Sequence, residues 1–389
     1  MEVTMKQAKQ KVNWVSKFKM FIVVLLVIGM LVIPTAAKKI KEKPLVQLAI
    51  LLDTSGSMEG LIEQAKTQLW KIVNEMALAK KSGQSPRLEV ALYEYGKSSI
   101  PASEGYLRMI VPLSVDLDRI SEELFKLKTN GGSEYCGQVI QSASKELQWS
   151  RSNNHLKVIF IAGNEPFTQG QVDYRTACQD AISNGIIVNT IFCGNYQQGI
   201  QTHWKDGADL ADGKYMNIDQ NQELVHIHAP QDKEITALGK KLNETYVAYG
   251  KRGYEKKMRQ QMQDSNAATQ GEAVMAQRSM AKATAQYNNA AWDIVDAEKE
   301  GKVKVEELEE DQLPEEMKKM SKEERKKYIE TKRKEREKIQ KQINQLRKER
   351  DKYVAAKRKE MAGENTLDEV VIQAVREQAQ QKNYKFEEK

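Results

Sequence analysis

The chain is short of cysteine, histidine and proline, with three, four and eight among its 389 residues. Cys136, Cys178 and Cys193 are too few and too scattered for a disulfide framework, and no Cys-x-x-Cys pair occurs. Small buried core residues are the plain reading, with one disulfide open only in an oxidising compartment. A catalytic thiol needs a base and an orienting partner, and none is identifiable. His226 and His228 alternate about Ile227, as a strand-borne zinc pair would, but no further ligand completes that site. His155 and His203 are isolated. Neither a Gly-x-x-x-x-Gly-Lys loop nor a Gly-x-Ser-x-Gly elbow is present, which removes two large enzyme classes. Aromatic residues are sparse at 7%, and the net charge of +7 is a small excess of 61 basic over 54 acidic residues. Lys and Glu interleave toward the C-terminus, the pattern of solvated helix faces, so no nucleic-acid surface is expected.

Long apolar runs are confined to the first 250 residues. Lys6, Lys9, Lys11, Lys17 and Lys19 precede an apolar run from Met20 to Ile33, followed by Pro34-Thr35-Ala36-Ala37. This is the layout of a secretory signal peptide. Extended through Ala37, it is also just long enough to span a bilayer as an uncleaved anchor. Lysines on both sides leave its orientation undetermined. Either way, residues 1–37 predict export to the periplasm or cell envelope, with residues 20–37 as an inner-membrane tether if uncleaved.

From Pro44 the chain alternates strand and helix patterns. Leu45 to Leu52 is nearly continuous in apolar residues, as a strand buried on both faces requires. Further strands are expected at Arg87–Tyr95, Leu107–Leu113, Leu156–Ile161, Ile186–Cys193 and Lys214–Ile218. Helices are expected at 58–81, 116–128, 136–150, 173–183, 203–211 and 231–249. That order predicts a doubly wound, mainly parallel central sheet with helices on both faces over residues 44–250.

Residues 251–389 read as a charged α-helical extension with little material for a core. Tyr287 and Trp292 are the main apolar anchors of the Ala-rich stretch Glu272–Glu300. Met317–Met361 is a long helix with Ile339, Ile343, Leu346 and Tyr353 on one seam. Arg350 and Lys357 take the next seam positions, so two readings stand: a short coiled coil or hairpin, through which copies of the chain could associate, or a solvated single helix. Leu367–Gln378 is a final amphipathic stretch.

In such a fold, ligands bind beyond the carboxyl ends of the strands. Asp53, Ser55 and Ser57 stand there, one carboxylate and two hydroxyls on alternating positions. They offer a partial oxygen cage for a hard cation such as Mg²⁺, which keeps several waters. The simpler reading is a helix capped by Ser57. A phosphotransferase using an aspartyl nucleophile would carry a second Asp where Ser55 stands.

Taken with its α/β context, Asp53-Thr54-Ser55-Gly56-Ser57 resembles the first element of the metal-ion-dependent adhesion site of von Willebrand factor type A domains. The resemblance covers about 205 residues. It implies a divalent ion, Mg²⁺ or another, whose coordination is completed by a partner's acidic side chain. The family's second element, a Thr in a Gly-Gly-Thr loop, corresponds to Ser133 or Glu134 in Gly131-Gly132-Ser133-Glu134. The third, an Asp after the fourth strand, is replaced by Gly163; Glu134 and Glu165 are the nearby residues able to restore the charge. The expected function is therefore an exported module that captures a protein partner, without catalysis. The alternative is a scaffold assembling through its C-terminal helices with an A-type domain that binds no metal.

Overall fold

The computed structural model describes residues 43–219, 227–360 and 367–386, without the side chains of 68 and 367–370. The N-terminal export segment and His226 lie outside the described residues. Among those described, no helix is long and apolar enough to cross a membrane.

The α/β region runs β1 (Leu45–Asp53), α1 (Glu59–Ala77), β2 (Ala79–Lys80), β3 (Arg87–Tyr95), β4 (Leu107–Ser114), α2 (Leu117–Lys126) and α3 (Cys136–Glu146). It continues through β5 (Leu156–Gly163), α4 (Tyr174–Ser183), β6 (Ile187–Cys193), α5 (Tyr196–Gln201), α6 (Trp204–Asp209), β7 (Tyr215–Ile218) and α7 (Asp232–Asn243). Six strands form one sheet in the order β4-β3-β1-β5-β6-β7. All neighbours are parallel except β4, which runs antiparallel to β3. The doubly wound, mainly parallel fold is as expected.

The continuous apolar run of β1 is explained by two cores. Val46, Leu48 and Leu52 enter the core on one face. Ala49 and Leu51 enter the other. A two-residue side-chain period with both faces covered leaves no place for a polar alternate.

After α7 come α8 (Gly253–Thr269), α9 (Glu272–Lys282), α10 (Ile294–Lys299), α11 (Glu315–Lys318), α12 (Lys322–Glu360), α13 (Leu367–Gln381) and β8 (Lys385–Phe386). The expectation of little core beyond residue 250 is wrong. Ala276, Met280, Tyr287, Trp292, Ile343, Val371, Ala374, Val375, Ala379 and Tyr384 join the same core as β1. β8 pairs antiparallel with β2, and the Tyr384 hydroxyl donates to the Leu45 carbonyl at 2.9 Å. The side-chain amides of Asn189 on β6 and Gln378 on α13 exchange hydrogen bonds, 3.1 and 2.7 Å, while buried.

Composition misled because few apolar residues are needed when buried charges are matched. On α12 the buried positions Ile329, Arg336, Ile343 and Arg350 recur every seven residues. Arg336 Nη1 meets Asp293 at 2.6 Å and Asp296 at 2.8 Å, and Arg350 Nε meets Asp232 at 2.5 Å. The heptad seam therefore faces α7, α9 and α10 of its own chain. Arginine sits in it because each inward guanidinium has a carboxylate waiting.

Candidate metal centre

β1 delivers Asp53 to the carboxyl edge of the sheet between β3 and β5, where it is fully buried. The turn that follows is fixed by hydrogen bonds. The Ser55 amide donates to Asp53 Oδ1 at 2.7 Å, the Thr54 amide to the Tyr95 carbonyl at 2.8 Å, and the Asn130 amide to the Thr54 carbonyl at 2.9 Å. The Thr54 hydroxyl donates to the buried carboxylate of Glu94 at 3.3 Å, and Lys97 and Arg108 neutralise that carboxylate from above. Ser57 does not cap the helix. The cap position of α1 is Met58, with no side-chain bond. The Ser57 hydroxyl instead lies 3.3 Å from that of Ser55 and accepts from Asn164 Nδ2 at 3.2 Å.

The second element arrives as Glu134, which is buried, with Ser133 half-buried beside it in the same loop. The Glu134 amide donates to Gln169 Oε1 at 3.1 Å. Asp53 and Glu134 meet over Gly96, whose φ is +79°. A Cβ there would lie 2.6 Å from Asp53 Oδ1 and 2.9 Å from Glu134 Cγ. Glycine at 96 thus serves both the left-handed backbone and the close approach of two carboxyls.

Gly163 also has a physical reason. A Cβ on it would fall 2.5 Å from the Tyr95 hydroxyl and 3.2 Å from Asp53 Cβ. That hydroxyl donates to the Ala162 carbonyl at 2.9 Å, and the Cys136 thiol lies 3.9 Å from it. The space an aspartate would need is taken by the Tyr95 hydroxyl, and the second carboxylate comes from Glu134. Glu165 is exposed at the rim, hydrogen-bonded to Gln169.

Two oxygens decide what the pocket can hold. Asp53 Oδ2 and Glu134 Oε2 are buried and have no hydrogen-bond partner. Burial raises both carboxyls above the ordinary range; for Glu134 the neighbouring Asp53 adds to the rise, and for Asp53 hydrogen bonds from Glu134 and Ser55 partly offset it. Glu165 raises both further. Adjoining buried carboxyls, each with one oxygen left without a partner, are a costly arrangement unless positive charge comes between them. The orphaned oxygens and the Ser55 and Ser57 hydroxyls fit a hard divalent ion. Among the described residues no group of three or more His, Cys, Asp or Glu is placed to hold a metal, so any ion here relies on two carboxylates and neutral oxygens.

All three cysteines are buried and free. His228 is exposed. Sequence reasoning missed Glu94, Tyr95, Asn164 and Gln169. Only Glu94 gave a signal, as a carboxylate in the apolar second half of its strand.

Residues 47–224 match the model of the von Willebrand factor type A domain. This span is a von Willebrand factor type A domain. Such A domains generally mediate protein–protein interaction, sometimes through a metal-ion-dependent adhesion site, and are interaction modules more than enzymes. No curated protein sequence matches the chain. Among solved structures, BatB from Bacteroides thetaiotaomicron is similar at 15% identity and TM-score 0.34, covering 45% of this chain and 90% of that one. The SpRpn10 VWA domain is similar at 16% identity and TM-score 0.36, over 46% and 91% of the two chains. The mussel byssus proximal thread matrix protein 1, in a form with a zinc-occupied MIDAS motif, is similar at 13% identity and TM-score 0.35, over 46% and 43%.

Proposed function

We propose that this chain is an exported protein-binding module whose A domain captures a protein partner through a divalent cation. The ion is held by Asp53, Ser55, Ser57 and Glu134. The observation that carries the reading is that Asp53 and Glu134, whose side chains converge over Gly96 at the carboxyl edge of the sheet, each bury one carboxylate oxygen without a partner. Mg²⁺ bound there supplies the positive charge they lack. It leaves coordination positions toward solvent, where an acidic side chain of the partner can bind. The basic-then-apolar N-terminus supports delivery to the periplasm or envelope, with the A domain tethered if that segment stays uncleaved.

Calorimetric titration of the chain with Mg²⁺, Mn²⁺ and Ca²⁺ tests the ion. Heat that saturates at millimolar concentration or below, and is lost in Asp53→Asn, is expected; no heat at millimolar ion overturns the reading. Capture from an envelope fraction with and without EDTA then tests the partner. Capture that ignores both EDTA and Asp53→Asn would favour a scaffold whose A domain uses no metal.

A further inference from the structure

We propose that the outer face of the C-terminal half of α12 docks on an anionic phospholipid bilayer. Lys338, Lys341, Lys348, Lys352 and Lys359 follow one another at helical spacing, and all five are exposed. They stand on the side of the helix opposite its inward seam of Ile329, Arg336, Ile343 and Arg350. At a rise of about 1.5 Å per residue the row is about 32 Å long.

A charged helix is ordinarily solvated, with its cations answered by neighbouring acids. The first half of α12 has that character. Lys326 meets Glu306, Lys332 meets Glu335, and Arg333 and Lys334 both meet Glu330. Inward, Arg336 and Arg350 meet aspartates. Along the outer row the matching stops: among the described residues, none of the five lysines has a carboxylate within ion-pair distance. The acids nearest the row are Glu337 at its start and Glu349, whose carboxylate accepts from Gln345 Nε2 at 3.1 Å. Five lysines against two glutamates leave three positive charges along one line.

Like charges held in a row repel one another, and an anionic surface relieves that repulsion. The type of cation suits a bilayer. An ammonium is a hydrated point charge on a flexible stem, fit for a mobile array of head-group phosphates more than for a bidentate grip. Shape agrees, since a straight helix meets a plane along a line and all five lysines reach it together. The phosphates of a nucleic-acid duplex wind away from such a line, and the row holds no aromatic side chain on which a base could stack. The choice of a bilayer as occupant rests on the envelope reading above. The row of unmatched lysines does not, and neither depends on an ion at Asp53.

The test uses the full-length chain reconstituted in phosphatidylcholine vesicles and in phosphatidylcholine–phosphatidylglycerol vesicles at about 2:1. A membrane-impermeant acetylating reagent is added, and the rate at each lysine is read by mass spectrometry. Insertion of the N-terminal segment is common to both vesicles and cancels in the comparison. Lys338, Lys341, Lys348 and Lys352 should react about fivefold more slowly in the anionic vesicles. Lys128 and Lys145, exposed elsewhere on the A domain, should be unchanged. Salt at about 0.5 M should abolish the difference. Lys338→Gln/Lys348→Gln, at two exposed positions, should remove most of the protection at Lys341 and Lys352, and Lys128→Gln/Lys145→Gln should keep it. Equal rates in the two vesicles, or an equal slowing at Lys128 and Lys145, overturns the site. Protection by a short DNA duplex with none by anionic vesicles would assign the row to nucleic acid and overturn the bilayer. Export is read separately, from the compartment in which the chain is found, so failure of that reading is distinguishable from failure of the row.

Discussion

At Asp53 two requirements of opposite sign meet in one side chain. Folding buries its carboxylate at the edge of a sheet, and the proposed ion site asks it to stay charged there. Asp53→Asn separates the two. The Ser55 amide keeps its acceptor, and the new Nδ2 can donate to Glu134 Oε2, which lacks a partner. In EDTA this variant should therefore be more stable by about 1–3 kcal/mol, the size of a relieved buried polar defect. Addition of Mg²⁺ should raise the melting temperature of the unaltered protein and leave the variant unchanged; a variant less stable in EDTA and still responsive to Mg²⁺ would refute the assignment. Gly163→Asp tests the neighbouring position. Restoring the family's aspartate forces a side chain against the Tyr95 hydroxyl, so a loss of about 1–3 kcal/mol is expected with no tighter ion binding. Combined with Tyr95→Phe, part of that loss should return in denaturant unfolding.

Among the elements, α9 shows how the extension is attached. Arg278 and Lys282 on it are fully buried and meet Asp118 of α2 and Asp264 of α8 at 2.5–2.8 Å. Arg278 also lies over the Trp70 ring, 4.6 Å from its centroid. Arg278→Met would leave two buried carboxylates facing Lys282 alone, and a loss of about 3–5 kcal/mol is expected from chemical denaturation. Acid should act on the same cluster. Burial alone would raise the Asp264 carboxyl, but Lys282 and Arg278, with Asn243, hold it at about 2 in the folded protein. An unfolded Asp titrates near 3.9. The folded value is the lower one, so this contribution is complete above about pH 4 and is lost as pH falls toward 2. Asp264→Asn should flatten the fall in stability across that window; an unchanged acid profile would show that the pairing carries no such linkage.

On the scale of the whole molecule, the last helix and strand close the face of the sheet. Val371, Ala374, Val375, Ala379 and Tyr384 are buried in the core shared with β1. At roughly 1.5–3 kcal/mol for each large apolar side chain, the loss of Val371, Val375 and Tyr384 is comparable to the whole margin of many domains. A chain ending at residue 366 should lose cooperative unfolding and become open to proteolysis within the A domain. Equal protease resistance in the shortened and complete chains would show that the A domain stands without its C-terminal helices.

The fold of the A domain was legible because its signals are local. An apolar run with no polar alternates, helices with regular spacing, and an Asp-x-Ser-x-Ser turn after the first strand are properties of neighbouring residues. The sequence by itself thus determined the strand–helix order, the edge of the sheet that carries the candidate site, and three of the residues proposed for it. Glu134 over Ser133, the Tyr95 hydroxyl in the space beside Gly163, and the matching of Arg336 and Arg350 with distant carboxylates were decided only by tertiary structure. Each depends on which atoms come within a few ångströms across more than 30 residues of chain. Composition made the extension look like a solvated helix, since a charged residue reads as exposed until its partner is found. Three-dimensional packing supplied the partners, and with them a second half that completes the core of the first.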